Sequence, residues 1–481
     1  MLHRDPALDA FELDAKPDAA AKFLAVISTY LDETLRGEAP VSTMVPPDAL
    51  AARFAEGLPT GVQPLDHVLE RLQRDVLPDV TRLMHPMCMG HQVSAPLPAT
   101  IWTDALISAV NGSMSVREMS PSVNAIEHQI VRWLGDLAGY DASSGGTLTS
   151  GGTEATFTAL LAARARACPD AWEQGVGANT PAVVYGEQAH YAVTRAIAEM
   201  GLGLRSGVMI PTRNHRMDLG ALRDALDRLA RENRPVMAVV ATAGSTAVGA
   251  FDDLEAIGGE CRARDIWLHV DGAHGASALL SARHRHRLQG LAQASSIAWD
   301  PHKMMLLPLS AGLLLVRRER DLDATFAQRA PYLFHGESGE RVWDQGLRSF
   351  QCSRRADALK LWVAMERYGA DGIGRLYDRL CDLTMALHDR VRAHPEFEPL
   401  HEPESNILCF RYVGPGTRAD HIDDVNFALR QAYNASGEGW ITTTVLQGQR
   451  ALRTTIMNPH TSEAHLDRLL DGLSRVAHAL P

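Results

Sequence analysis

The chain has 481 residues, 46% of them hydrophobic and 22% charged, which is ample for a soluble globular protein with a sizeable core. Its formal net charge is -11, and it carries no basic stripe, which argues against a nucleic-acid partner. The longest strongly apolar stretch, residues 304–316, contains Pro308 and is too short to span a membrane, so it predicts a buried turn and a strand.

The six cysteines are scattered, and no two have the spacing of a metal site or a redox motif. We therefore expect reduced thiols, no metal and a cytoplasmic location. Residues 1–9 include acidic side chains where a signal peptide would carry an apolar core.

The N-terminal region predicts helices that have little core of their own. Apolar residues recur at helical spacing over residues 20–35 and 65–83, and five prolines interrupt the region between them. Helices of this kind need another surface to pack against.

From about residue 125 to 320, short apolar runs alternate with helical stretches. This alternation predicts an α/β fold with a mostly parallel sheet and helices on both faces. After residue 350 the pattern is helical over 356–367 and 373–393, and it then resembles a small α/β module with strands near 406–412 and 451–457. The predicted strands of the main region are 182–185, 208–210, 236–241, 266–270, 296–299 and 312–316, and its predicted helices are 155–167, 193–200, 219–231 and 254–264.

Three groups of polar residues follow predicted strands of this sheet. Residues 242–246 follow the predicted strand that ends at residue 241. Asp271 follows the one that ends at residue 270, and residues 300–303 follow the one that ends at residue 299. Ligands of open α/β sheets bind at the carboxyl ends of the strands. A lysine amine holds the aldehyde of pyridoxal phosphate as a Schiff base, and an aspartate keeps the pyridine nitrogen protonated. We therefore expect Lys303 and Asp271 to share a pyridoxal 5′-phosphate site. The plain alternatives are a surface lysine and a helix cap.

A phosphate group needs backbone N–H groups at a helix N-terminus. Gly151 and Gly152 let the backbone approach an anion, and Thr153 is expected to cap the following helix and donate to phosphate. A capped helix after a glycine-rich turn is the alternative. His190 follows the strand that ends at residue 185 and is expected to stack on the pyridine ring, with a cap or a surface position as its alternative.

Several segments resemble those of the pyridoxal-phosphate-dependent amino acid decarboxylases, which include glutamate, cysteine sulfinate and aromatic amino acid decarboxylases. Residues 241–252 are similar to the Ala-Thr-x-Gly-Thr-Thr segment of that family, 267–275 to its Trp-Leu-His-Val-Asp-Ala-Ala segment, and 300–303 to its Asn-Pro-His-Lys. Residues 332–334 and 354–362 look closest to the glutamate and cysteine sulfinate branch. The resemblance covers most of the chain and implies a fold-type I enzyme with a small C-terminal α/β domain.

The resemblance also implies roles for individual residues. Lys303 corresponds to the Schiff-base lysine, Asp271 to the partner of the ring nitrogen, and His190 to the stacking histidine. Arg453 matches the arginine that binds the substrate carboxylate, which suits a planar guanidinium, and Gln92 resembles a residue of the side-chain pocket. The remaining positions expected at the cofactor are Gly151, Gly152, Thr153, Thr246, Ala273, Asp300 and His302.

The chain departs from the family pattern at four places. Gly272 replaces an alanine, His274 replaces an aromatic residue, and Asp300 replaces an asparagine. A second carboxylate beside a phosphate is unfavourable unless it points away. Residues 335–346 contain no tyrosine, whereas the family carries one there that returns a proton to the substrate carbon.

His335 and Tyr332 are the candidate replacements for that acid. We expect α-decarboxylation of an L-amino acid. A short polar or acidic substrate is favoured, and diaminobutyrate is kept as an alternative substrate. Aromatic substrates are less favoured. Decarboxylation-dependent oxidative deamination to an aldehyde and a non-catalytic cofactor-binding homologue are the alternatives.

The resemblance further implies a homodimer with its site at the subunit boundary. We expect an N-terminal helical dimerisation segment over residues 1–85, a large cofactor-binding domain over 86–360 and a small C-terminal domain over 361–481. Residues 335–346 are expected to form a lid, because they are polar and rich in glycine.

Overall fold

A computed structural model of the chain describes residues 5–326, 330, 334, 343–415, 417–418 and 420–480. The chain forms two compact units. Unit 1 consists of Met1–His91, Ala386–Leu400 and Cys409–Pro481, and unit 2 consists of Gln92–Met385 and His401–Leu408. The division into three domains at residues 85 and 360 stays a prediction.

Helices and strands alternate through the middle of the chain, as the sequence pattern predicts. The α-helices are α1 (Pro6–Asp14), α2 (Pro17–Arg36), α3 (Pro47–Arg53), α4 (Leu65–Arg71), α5 (Pro98–Val110), α6 (Pro121–Leu137), α7 (Gly152–Ala167), α8 (Ala171–Gln174), α9 (Ala192–Glu199), α10 (Leu219–Arg231), α11 (Leu254–Ala263), α12 (Arg320–Asp323), α13 (Ala358–Ala393), α14 (Ile422–Ala435) and α15 (Glu463–Ala479). The strands are β1 (Gly145–Thr149), β2 (Ala182–Gly186), β3 (Gly207–Ile210), β4 (Thr212–Arg213), β5 (Arg216–Met217), β6 (Val236–Thr242), β7 (Trp267–Asp271), β8 (Ser296–Trp299), β9 (Gly312–Val316), β10 (Phe397–Pro399), β11 (Ile407–Tyr412), β12 (Thr442–Leu446) and β13 (Gln449–Thr455).

The main sheet of unit 2 has seven strands in the order β1-β9-β8-β7-β6-β2-β3. From β3 to β8 each strand is parallel to its neighbour, and β9 is antiparallel to both β8 and β1. β1 therefore points the same way as the parallel strands. This arrangement confirms the predicted mostly parallel sheet, and it places the carboxyl ends of β1, β8, β7, β6 and β2 at one edge.

Helix α7 packs against the main sheet of unit 2. Leu160 and Ala163 of α7 pack in one buried cluster with Val183, Val240 and Trp267 of the strands. The many alanines of this helix favour the helical backbone and allow a close approach to the sheet. Truncating a side chain as buried as that of Leu160 costs about 2–5 kcal/mol of stability.

Local sequence determines how α10 begins and which face it buries. The Asp218 carboxylate accepts a hydrogen bond from the backbone N–H of Ala221 at 3.0 Å and so caps the helix. Leu222, Leu226 and Leu229 recur at helical spacing and are buried. The predicted helix over residues 219–231 is confirmed.

Unit 1 joins the N-terminal segment to the C-terminal sheet. The backbone N–H of Val41 donates to the carbonyl of Gly437 at 2.9 Å, and that of Met89 donates to the carbonyl of Trp440 at 2.8 Å. β10 pairs antiparallel with β11, and β12 pairs antiparallel with β13. The C-terminal strands predicted near residues 406–412 and 451–457 are confirmed as β11 and β13.

Two predictions about elements were wrong. The helix predicted over residues 65–83 ends as an α-helix at Arg71 and continues only as a π-helical turn and a 3-10 turn to Asp79, where Pro78 cannot donate a backbone hydrogen bond. β1 was missed because its two glycines resemble a turn. Gly146 is required there, because a Cβ would lie 2.5 Å from the carbonyl oxygen of Leu314 on β9.

In the described ranges, no helix combines the length and the apolar character that crossing a lipid bilayer requires.

Candidate active site

The carboxyl ends of five strands in unit 2 surround a cavity of about 340 Å³. Ten of the residues that the sequence predicts at a cofactor line it together, so the three groups predicted to follow the strands do converge. Five further residues line it, and two of them, Ser150 and Leu309, were not predicted, because neither a serine before a helix nor a leucine after a proline has a specific signal. The lining residues are Ser150, Gly151, Gly152, Thr153, His190, Thr242, Gly244, Thr246, Asp271, Ala273, His274, Asp300, His302, Lys303 and Leu309.

Lys303 supplies the primary amine of this cavity. The chain contains only four lysines, and the other three are Lys16, Lys22 and Lys360. The Lys303 side chain is about 20% exposed, and its Nζ lies 3.1 Å from Oδ2 of Asp300. The apolar residues that follow it, from Met304 to Leu307, are fully buried and fix the backbone on which the amine is mounted.

Asp271 is the last residue of β7, where its carboxylate is buried between two neighbouring strands. It is 8% exposed, and the backbone N–H of Ala273 donates to its Oδ1 at 3.2 Å. β7 pairs with β6 at Thr242 and with β8 at Ala298, so the backbone that carries this carboxylate is held on both sides.

His190 stands close enough to this pair to sense both charges. Burial lowers the pKa of His190, the negative charge of Asp271 opposes that shift, and the positive charge of Lys303 adds to it. The backbone N–H of Ala192 donates to Nδ1 at 3.3 Å. In the neutral ring the proton therefore sits on Nε2.

Asp300 adds a second buried carboxylate beside the amine. It is 2% exposed, and its Oδ2 lies 3.1 Å from Nζ of Lys303 and 3.4 Å from Nε2 of His302. His302 Nδ1 accepts a hydrogen bond from the backbone N–H of Ala311 at 3.1 Å, so its Nε2 carries the proton that faces Asp300. Burial lowers the pKa of His302, and Asp300 opposes that shift.

The N-terminus of α7 opens onto the same cavity. Gly151 is the N-cap residue, and no side chain in the described part of the chain caps this helix. The prediction that Thr153 caps it was wrong, because Thr153 lies inside the first turn. A Cβ on Gly152 would lie 2.8 Å from the Cβ of Ala273 and 3.0 Å from Oδ2 of Asp300. The free N–H groups of the first turn are suited to an anion.

His274 and Thr242 complete the polar wall. His274 is buried, and its Nε2 lies 2.7 Å from Oδ1 of Asn406, which is itself fully buried. Thr242 ends β6, and its Oγ1 is buried without a hydrogen-bond partner among the residues that the structure describes. His274 stands where the family pattern has an aromatic residue, so this wall is more polar than the pattern predicts.

Of the residues predicted on the substrate side, the structure describes Gln92 and Arg453, and neither lines this cavity. Gln92 belongs to unit 2 but is not among the lining residues, and its Nε2 is buried with no hydrogen-bond partner in the described ranges. Arg453 belongs to β13 in unit 1, where its Nη1 donates to the carbonyl of Gly90 at 3.3 Å. His335 and Tyr332 lie outside the described residues. The roles of these four residues stay predictions.

The functional groups of the lining residues match those that bind pyridoxal phosphate. One cavity contains all three groups that this cofactor needs. They are an amine that can bond to an aldehyde, a buried carboxylate that can face a protonated ring nitrogen, and a helix N-terminus that can bind a phosphate. The lack of room for a Cβ at Gly152 shows that the first turn of α7 packs closely against Ala273 and Asp300, so a residue without a side chain is needed there.

Comparison with known proteins extends this fit from the cavity to the whole chain. A family model described as the pyridoxal-dependent decarboxylase conserved domain matches residues 47–413. The chain is 34% identical over 418 residues to the L-2,4-diaminobutyrate decarboxylase of Rhizobium meliloti (strain 1021), which covers 86% of this chain and 82% of that protein. It is 30% identical over 486 residues to the cysteine sulfinic acid decarboxylase of Rattus norvegicus, which covers 97% and 98% of the two chains.

Solved structures show the same likeness. The crystal structure of mouse CSAD in apo form superimposes with a TM-score of 0.90 at 27% sequence identity, and the match covers 96% of this chain and 99% of that chain. The similarity therefore involves nearly all of both chains and not a single motif.

Proposed function

Because this chain belongs to the pyridoxal-dependent decarboxylase family, we propose that it removes the α-carboxyl group of a short polar or acidic L-amino acid. It is a pyridoxal-phosphate-dependent carboxy-lyase, whose products are carbon dioxide and an amine. When bound, the cofactor supplies a ring that accepts the electron pair left by the departing carboxylate. The observation that carries the proposal is the placement of Lys303 and Asp271 in one cavity.

Lys303 and Asp271 would hold the two reactive groups of the cofactor. Lys303 would bond to the aldehyde, since it is the lysine of this cavity. Asp271 would keep the ring nitrogen protonated, since its carboxylate is buried and held in place by β7. His190, whose pKa is lowered by burial, would pack on the ring as a neutral imidazole, and the small side chain of Ala273 would leave space for the ring.

The phosphate group binds at the N-terminus of α7. Gly151 and Gly152 let the backbone N–H groups reach it, and Thr153 adds a hydroxyl from the first turn. His302 lines the same cavity and is proposed as a further phosphate contact, with its Nε2–H facing Asp300 in the structure. Asp300 forms an ion pair with the amine of Lys303 at 3.1 Å.

Four residues are proposed to act on the substrate, and one of them, Thr246, lines the cofactor cavity. Arg453 binds the substrate carboxylate, because a guanidinium can grip it with two parallel hydrogen bonds. Gln92 faces the substrate side chain, since a buried donor without a partner costs about 1–3 kcal/mol, which an acceptor on the substrate would recover. Thr246 lies beside the cofactor and the substrate, and His335 is the proposed acid that returns the proton.

The two relatives named above act on amino acids of similar size. One is a diaminobutyrate decarboxylase and the other a cysteine sulfinic acid decarboxylase, so their substrates share a short chain that ends in a polar group. An acidic end group is favoured here, because the free amide N–H of Gln92 would donate to it.

A substrate screen tests this proposal. The absorbance of the bound cofactor is recorded while short acidic, amidic and diamino acids are added, and the amine and carbon dioxide are then quantified. We expect at least one of these amino acids to give equimolar amounts of amine and carbon dioxide. A Gln92→Leu variant should raise the KM for an acidic substrate about tenfold and leave the cofactor absorbance unchanged. Release of carbon dioxide only from aromatic amino acids would contradict the proposed substrate class.

Residues 335–346 favour one second candidate, because they lack the tyrosine that the family uses as an acid. In this reaction molecular oxygen oxidises the decarboxylated substrate, and water releases an aldehyde, ammonia and hydrogen peroxide. An oxygen electrode separates the two outcomes. Oxygen consumed in proportion to carbon dioxide identifies the oxidative reaction, and amine formed without oxygen uptake identifies simple decarboxylation.

We further propose a homodimer in the cytoplasm. The N-terminal helices of unit 1 expose large apolar side chains, and Leu8, Phe11 and Leu13 are 58–73% exposed. Such a patch is typical of a surface that a second subunit covers. The six cysteines are free, as expected in a reducing compartment.

A further inference from the structure

A second cavity of unit 2 lies at the opposite edge of the main sheet. It has a volume of about 250 Å³ and is lined by residues at the amino ends of β7 and β8, by the ends of α7 and α11, and by the residues that follow β9. Its charged side chains are Arg166, Arg262, Arg317, Arg318, Asp265 and Asp321. Nothing in the decarboxylation reaction uses these residues.

The arginines of this cavity exceed its carboxylates by two. Arg166 pairs with Asp265, and Arg318 Nε lies 3.3 Å from Oδ2 of Asp321. Each carboxylate is thereby matched with one guanidinium. Arg262 and Arg317 are left without a carboxylate at ion-pair distance among the residues that the structure describes, so this cavity carries an excess of two positive charges in a chain whose net charge is -11.

Arg317 is held in place by the backbone. Its Nε donates to the carbonyl of Ala294 at 3.1 Å, and its Nη2 donates to the carbonyl of Gln293. These bonds fix the plane of the guanidinium without neutralising its charge. A cation that is already ordered loses less conformational entropy when it binds an anion.

The plain alternative is that these arginines only complement helix ends. Arg166 and Arg262 lie in the last turns of α7 and α11, where each helix terminus contributes about half a negative charge. Two termini offset about one of the two excess positive charges. Arg317 follows a strand and has no such helix end, and the carboxylate of Asp141 interacts with it electrostatically from beyond ion-pair distance, so part of its positive charge remains for a ligand.

We propose that this cavity binds a small phosphate-type oxyanion, either inorganic phosphate or the phosphate group of a small monoester. Planar guanidinium groups bind phosphate oxygens through paired hydrogen bonds, and two unmatched arginines suit a group that carries one to two negative charges. The site is distinct from the cofactor cavity. Leu268 of β7 lines this second cavity and Asp271 of the same strand lines the cofactor cavity, so three residue steps along the strand, about 10 Å, separate them.

The test uses the holoenzyme after borohydride reduction has fixed the cofactor on the protein, so that added phosphate cannot displace it. Inorganic phosphate and glycerol 3-phosphate are titrated separately in a calorimeter in chloride buffer. We expect one saturable site per chain for at least one of them. Tighter binding of the ester identifies a monoester as the ligand, and tighter binding of phosphate identifies the free ion.

Three variants locate the site. Arg262→Ala and Arg317→Gln should each weaken binding at least tenfold. Arg264→Ala is the matched control, because Arg264 follows the same helix but is paired with Glu260 and Asp227 and does not line the cavity. It should change the affinity less than twofold. No saturable binding to the wild-type holoenzyme, or equal weakening by Arg262→Ala and Arg264→Ala, would overturn the proposal.

Discussion

Asp300 places a second buried carboxylate in the cofactor cavity. It is 2% exposed and contacts both Lys303 and His302, and its Oδ1 is buried without a hydrogen-bond partner in the described ranges. Burying a carboxylate in this way is costly, and the Lys303 ammonium offsets only part of the cost. A phosphate placed at the nearby end of α7 would meet this negative charge.

Asp300→Asn should therefore strengthen cofactor binding. The substitution keeps the shape of the side chain and removes a buried negative charge close to the phosphate. We expect the Kd of the cofactor to fall about tenfold, which corresponds to about 1.4 kcal/mol. Fluorescence titration of the apoenzyme measures it. Asp321→Asn, at the opposite edge of the sheet, removes the same charge and should leave the Kd unchanged. Weaker binding by Asp300→Asn would refute this electrostatic account.

Among the elements of the fold, the first turn of α7 defines the phosphate end of the cavity. Gly152→Ala should weaken cofactor binding about tenfold or more, because its Cβ would contact Ala273 and Asp300 and push the backbone away from the phosphate. Gly259→Ala is the control, because a Cβ on that glycine of α11 would meet no atom of the described residues within 4 Å. The control should keep wild-type affinity. Equal affinities of both variants would show that the backbone does not approach the phosphate.

Strand β7 makes stability depend on pH through a buried histidine. Burial lowers the pKa of His269 to about 4, whereas an exposed histidine has a pKa near 6.5. Between these values the unfolded chain binds the proton and the folded chain does not, so stability falls as the pH falls from 6.5 to 4. The loss is about 3 kcal/mol.

Chemical denaturation at several pH values measures this effect. His269→Gln should flatten the decline between pH 6.5 and 4, since the variant has no imidazole to protonate when it unfolds. Its stability at neutral pH will be lower, because His269 contacts Ser296 at 2.9 Å and Thr156 at 3.4 Å. The slope, and not the absolute stability, is the diagnostic quantity. If the free energy of unfolding falls equally steeply with pH in the wild type and in His269→Gln, the pH dependence does not come from His269.

Elements with a strong pattern were predicted well from the sequence. β8 and β9 were predicted with their observed bounds, because their apolar runs are short and bounded by polar or glycine residues. β1 was missed, since Gly145 and Gly146 have no strand propensity and become a strand only by pairing with β9. The helix over residues 65–83 was overextended because apolar spacing alone does not reveal the effect of Pro78.

The cofactor cavity was largely predictable because parallel strands bring their carboxyl ends together, wherever the residues lie in the sequence. The same argument could not predict the ion pair between Asp300 and Lys303, which depends on side-chain orientation. It also could not place Gln92 or Arg453, because neither follows a strand of the main sheet.

For the whole molecule, the exposed apolar side chains of α1 lead to a testable prediction about assembly. Phe11 is 73% exposed, which leaves a large aromatic surface in contact with water unless a partner covers it. We expect light scattering after gel filtration to give twice the mass of one chain. Phe11→Ser should weaken the dimer, and Leu58→Ser, another exposed apolar residue of unit 1, serves as a comparison. A monomeric wild-type holoenzyme would contradict the proposed homodimer.

The most direct test of the central claim is peptide mapping after borohydride reduction of the holoenzyme. The chain has four lysines, so each possible attachment site is resolved by mass spectrometry. The account predicts that the cofactor is found on the peptide that contains Lys303 and that Lys303→Ala abolishes both the attachment and the release of carbon dioxide. Attachment to another lysine, or full decarboxylase activity of Lys303→Ala, would contradict it.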